Sequence, residues 1–106
     1  MKTVITASGN QTDALFDSRF GRASHFCVVD ELKSEIRFVI NDNKDAQGGA
    51  GTKAAENMAE LGVSKVISGH FGPKAQELLD KLNIQMVTIS DESATVQDII
   101  NKISNQ

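Results

Sequence analysis

Tryptophan and tyrosine are missing from this sequence, cysteine and proline occur once each, and no long apolar run is present. Each absence excludes something. The lone Cys27 cannot close an internal disulfide, so the fold has no covalent staple and a cytoplasmic location is expected. No stretch approaches the roughly 20 apolar residues of a membrane span, and the run from Met1 to Ser8 is too short for a signal peptide. Positive charge is scarce too. A net charge of −3 argues against a general nucleic-acid surface, because proteins that grip phosphate backbones are usually basic. Catalytic signatures are also lacking. There is no H-E-x-x-H and no nucleophile elbow, so a non-catalytic protein is expected.

What is present suffices for one core. A chain of 106 residues, 40% apolar and 24% charged, has the balance of one ordinary domain, read here as residues 1–106. Thr3 to Ser8, His25 to Asp30 and Glu35 to Asn41 read as strands, the last two joined as a hairpin. A glycine-rich turn, Gly48-Gly49-Ala50-Gly51, opens a helix in which Ala54, Ala55, Met58 and Leu61 recur at helical spacing. Gly62 stands where a C-terminal cap belongs. Val63 to Ser68 reads as strand four. Pro73 suits a helix's first turn, and Ala75, Leu78, Leu79 and Leu82 line one face up to Asn83. Ile84 to Ile89 is strand five. Val96, Ile99, Ile100 and Ile103 form the stripe of a third helix.

The order β-β-β-α-β-α-β-α has a geometric consequence. If strand two runs against strand one, strands one, three, four and five end at one edge of the sheet. Three loops then gather at the carboxyl edge, where open α/β sheets bind ligands.

The first loop is the least interpretable as packing. Phe16 to Phe26 holds three of the five phenylalanines, together with Arg19 and Arg22. Guanidinium groups hold carboxylates, phosphates or anionic clusters through fixed forks of donors; the plain alternative is an ion pair with Asp13, Asp17 or Asp30. Gly49, Ala50 and Gly51 can cradle an anion at a helix start, or merely relieve crowding there. The cluster is neither a Walker motif nor G-x-G-x-x-G. In the third loop, His70, Phe71, Gly72 and Lys74 form a second strand-to-helix turn. His25, His70 and Cys27 match no standard zinc spacing, although they are candidates to converge on a cluster supplied from outside. Cys27 also reads as a buried, inert thiol.

Three motifs in order resemble a known family. Phe20-Gly21-Arg22-Ala23 followed by Phe26, then Gly49-Ala50-Gly51 ahead of a helix, then Gly69 with Gly72-Pro73-Lys74-Ala75, are similar to the pattern of the dinitrogenase iron–molybdenum cofactor biosynthesis family. The resemblance covers essentially the whole chain. It implies a ribonuclease H-like α/β fold: a mixed five-stranded sheet of order 3-2-1-4-5, strand two antiparallel, with three helices. Nucleases of that fold place an Asp in the first strand, and none lies between Lys2 and Ser8. Position 74 is Lys where the family commonly has Asn, and no ligand role passes from the motif to His25 or His70.

The resemblance implies binding of the iron–molybdenum cofactor or its iron–sulfur precursor during nitrogenase maturation, by a carrier or an assembly-protein domain. The expectation is therefore a carrier that holds an anionic iron–sulfur or iron–molybdenum cluster transiently and meets cofactor-assembly proteins, with no other cofactor, no nucleic acid and no membrane. Arg19, Phe20, Gly21, Arg22, Gly49, Ala50, Gly51, His70, Phe71, Gly72 and Lys74 are its expected binding residues. His25, His70 and Cys27 are its candidate metal ligands. Two alternatives use the same loops: a sensor of a small anion or nucleotide, and an adaptor in a metal-maturation complex.

Overall fold

The computed structural model describes residues 1–104. Eight elements follow in order: β1 (Lys2–Ala7), β2 (His25–Asp30), β3 (Glu35–Ile40), α1 (Ala50–Glu60), β4 (Lys65–Ser68), α2 (Pro73–Lys81), β5 (Gln85–Thr88) and α3 (Val96–Ser104). The sheet has the order β3-β2-β1-β4-β5. β2 runs antiparallel to both neighbours, while β1, β4 and β5 are parallel. This is the topology the ribonuclease H-like arrangement requires.

Alternation along β1 sends side chains into two cores. Val4 packs with Phe26, Val28, Met58, Val66 and Leu79 beneath α1 and α2. Ile5 and Ala7 pack with Phe16, Cys27, Ile67, Val96 and Ile99 beneath α3. Burial of both faces explains why β1 is β-branched throughout its middle and shows no apolar/polar alternation.

The helix stops explain why β4 and β5 begin later than the sequence suggests. After α1, Gly62 takes φ 74°, its N–H bonds Ala59 O, and the N–H of Val63 bonds Met58 O. That pair of bonds is a Schellman closure. α2 ends identically, with Asn83 at φ 59° and the N–H of Ile84 on Leu79 O. Val63 and Ile84 are therefore buried core residues whose donors finish a helix instead of entering the sheet.

α3 starts differently. The N–H of Asp98 bonds Thr95 Oγ1, and Asp98 Oδ2 accepts the N–H of Thr95. This reciprocal box satisfies donors that would otherwise be orphaned. The sequence also leads one to expect fraying of Ser104-Asn105-Gln106; α3 runs to Ser104, and Asn105 and Gln106 lie outside the described residues.

Candidate functional site

The three loops that leave the carboxyl ends of β1, β3 and β4 meet in space, and glycines are where they touch. A Cβ on Gly21 would sit 2.7 Å from the Gly51 nitrogen, against the backbone that starts α1. A Cβ on Gly69 would sit 2.6 Å from Ser18 Cβ and 2.9 Å from its Cα. Arg19 and His70 form a parallel bridge, and the N–H of Phe20 bonds His70 O at 3.2 Å. The Phe16–Phe26 loop is thus wedged between the other two.

Two adjoining hollows open at this junction. One, of about 330 Å³, is lined by Arg19, Phe20, Gly21, Arg22, Gly49, Ala50, Gly51, His70 and Gly72. The second, of about 350 Å³, shares Gly49, Gly51 and Gly72 and adds Lys74. No acidic side chain lines either. Both α1 and α2 begin here with a glycine at the N-cap, without a side-chain cap and without an acid in the first turn. Backbone N–H groups and the positive ends of two helices therefore face the same space.

Gly72 has no backbone reason to be glycine. Its φ of −66° and ψ of 159° suit any residue that precedes proline. A Cβ there would meet nothing within 4 Å. Its missing side chain leaves room in the hollow.

Phe20 and Phe71 are 2% exposed, with ring centroids 5.2 Å apart, and Phe26 packs tilted against Phe20 at 6.1 Å. They form the floor that anchors two loops to the core. Phe71 does not line the hollows.

The two arginines divide. Arg19 takes the plain alternative. Its Nη2 lies 3.2 Å from Asp17 Oδ2, its Nε and backbone N–H both bond Asp17 Oδ1, and this pairing raises its already high pKa. Among the described residues, Arg22 makes no such ion pair. Its Nη1 donates to Lys44 O at 2.9 Å and Ala46 O at 2.6 Å, so its partners are neutral carbonyls of the loop after β3.

The three candidate metal ligands do not converge. Cys27 is fully buried on the α3 face, and burial pushes its thiol up to about 12. A neutral thiol enclosed by apolar groups is a poor metal ligand. His25 stands at the start of β2 with Nδ1 3.0 Å from Ser24 Oγ, outside the hollows. Only His70 lines one. Among the described residues, no group of three His, Cys, Asp or Glu side chains is placed to hold a metal ion.

Sequence reasoning missed the polar residues that hold these loops. Asn41 is 1% exposed; its Nδ2 donates to Gly21 O at 3.1 Å and Ala23 O at 2.8 Å. Thr6 Oγ1 donates to Ser68 Oγ at 3.0 Å, and Ser68 Oγ to Ser18 O at 3.3 Å. The only sequence signal is a polar residue inside or just after an apolar strand.

Comparison with known proteins agrees with this fold. The model for the family described as dinitrogenase iron-molybdenum cofactor matches residues 1–106. The chain belongs to that family. The apo form of the orange protein from Desulfovibrio gigas is similar throughout, with 32% identity and a TM-score of 0.89 over 98% of this chain and 87% of that one. A putative NifB protein from Thermotoga has 27% identity and a TM-score of 0.84, again over 98% and 87%. An uncharacterised protein of Methanocaldococcus jannaschii is 31% identical over 89 residues, 81% of this chain and 72% of that protein. In this chain Gly21, Gly51 and Gly69 lie where the loops meet. Among the described residues, no helix is long and apolar enough to cross a membrane.

Proposed function

We propose that the chain is a non-catalytic carrier that holds an anionic iron–sulfur or iron–molybdenum cluster, or its precursor, in the paired hollows during metallocofactor assembly. One observation carries this reading. Two helix N-termini without side-chain caps and the cations Arg22 and Lys74 border a space that no acidic side chain lines, with Arg19 paired to Asp17 at its rim, and Gly72 leaves it open. Such a site favours an anion through backbone N–H groups and positive charge.

The scarcity of protein ligands fits a carrier. With Cys27 buried and His25 outside, His70 is the one side chain at hand for a labile bond to metal. Retention then rests on charge and shape, and release requires no exchange of strong thiolate ligands. The family match supports a cluster over other anions, and transfer to cofactor-assembly proteins follows from a carrier role.

Anaerobic incubation of the apoprotein with isolated iron–molybdenum cofactor, followed by desalting, tests the reading. The expected result is a retained charge-transfer chromophore at about one cluster per chain. A colourless protein, together with thermal stabilisation by phosphate or a nucleotide in the presence of chelator, would establish the small-anion sensor instead.

A further inference from the structure

Arg22 does two jobs at once, and they conflict. Arg22 lines the hollow beside Gly21 and Gly49. Its guanidinium bonds the carbonyls of Lys44 and Ala46. Those carbonyls belong to the connection between β3 and α1, whose two ends are built unlike its middle. At the near end, Asn41 is buried and fastened by its side chain to Gly21 O and Ala23 O and by its N–H to Ser24 O. At the far end, Gly48 at φ 140° and Gly49 at φ 71° form a hinge of two positive-φ glycines, and Gly48 has open space around it. Between them Lys44, Asp45 and Gln47 are exposed. Within this connection only local turns add to the grip, through Asn43, Lys44 and Ala46 N–H groups. Arg22 is what ties its middle to the Phe16–Phe26 loop.

We propose that residues 42–48 are a strap latched by Arg22 and released when an anion enters the hollow. This inference rests on the anion-binding reading of that site. Neutral carbonyls are the weaker partners of a guanidinium. An anionic acceptor adds a charge–charge attraction that the carbonyls lack and can take the guanidinium fork bidentately, so an arriving anion draws Arg22 away. Occupancy of the hollow is thereby converted into freedom of an exposed segment beside it, which a receiving protein can sense.

Hydrogen–deuterium exchange of the 42–48 peptide, followed by mass spectrometry, tests this. It is run on the wild type, Arg22→Ala and Arg22→Lys, each alone, with isolated iron–molybdenum cofactor, and with orthophosphate at matched ionic strength. Exchange in the strap of Arg22→Ala should be about tenfold faster than in the wild type, the size of one net hydrogen bond from a charged donor, with the sheet unchanged. Arg22→Lys, with a shorter reach, should fall between. Either anion should drive the wild-type strap toward the Arg22→Ala rate and leave Arg22→Ala itself unmoved. Equal strap exchange in the wild type and Arg22→Ala overturns the latch. So does a wild-type strap that stays slow while the cofactor chromophore is retained, or one that responds to neither anion. A strap that responds to orthophosphate while no cofactor chromophore is retained supports the latch and sinks the cluster reading alone.

Discussion

Gly72→Ala separates the binding role of the hollow from its structural role. Two stability effects oppose each other at this position. Alanine stiffens the unfolded chain and stabilises by about 0.4–1 kcal/mol where the native backbone accepts it, as φ −66° and ψ 159° do. It is a worse N-cap than glycine, at a cost of about 0.5–1 kcal/mol. The added Cβ meets no neighbour within 4 Å, so no clash enters. The net change is within about 0.5 kcal/mol, and Tm should move by less than about 4 °C in a domain of this size. Binding should respond quite differently. The new methyl occupies space shared by both hollows. Crowding a well-packed ligand costs about 1–3 kcal/mol, which is roughly a 5- to 150-fold loss of affinity. Calorimetric unfolding and anaerobic titration with the isolated cofactor measure the two quantities on one sample. A Tm drop beyond about 10 °C would make Gly72 a structural glycine, and unchanged affinity would remove the hollow as the site.

Gly21→Ala should behave in the opposite way: its Cβ would meet the Gly51 backbone at 2.7 Å, so denaturant unfolding should show a loss of about 1–3 kcal/mol. Asp17→Asn should free Arg19 and remove a negative charge beside the hollow, so anion affinity rises several-fold at low salt and less at high salt, while stability falls by about 1 kcal/mol, since the arginine is exposed and the carboxylate is not. The Cys27 thiol, pushed up to about 12 by burial, makes stability fall with alkalinity. The unfolded thiol ionises from about pH 8.5 and the folded one does not, so Cys27 contributes a decline of up to about 1.4 kcal/mol per pH unit, ending near pH 12. The decline is absent in Cys27→Ala, and that variant should still retain the cofactor; loss of the chromophore would restore Cys27 as a ligand. In the native wild type the thiol should resist alkylation at pH 8 until denaturant unfolds the chain.

How much of this was legible beforehand differs by feature. The helices were legible because burial of one face imposes a 3.6-residue period that ten residues suffice to display. Ala54, Ala55 and Met58 write it in α1 and Val96, Ile99 and Ile100 in α3. Gly62 marked the end of α1, because the left-handed cap there suits glycine. The start of β4 was not legible. Val63 is as apolar as a strand residue, and only the closing bond to Met58 O shows that its N–H is spent on the helix.

The site divides along the same line. By itself the sequence determined the element order and the β2–β3 hairpin, which put three loops at one edge provided that β2 runs against β1, as it does. It also determined which residue types those loops carry. Only the tertiary structure decided what each side chain does. It paired Arg19 with Asp17, gave Arg22 to carbonyls 22 and 24 residues away, and turned Cys27 toward α3. It made Gly21 and Gly69 contact points while leaving Gly72 facing open space. Periodicity is a local property of the chain. The partner of a charge or the neighbour of a glycine is set by segments distant in sequence, and these meet only once the two cores have formed.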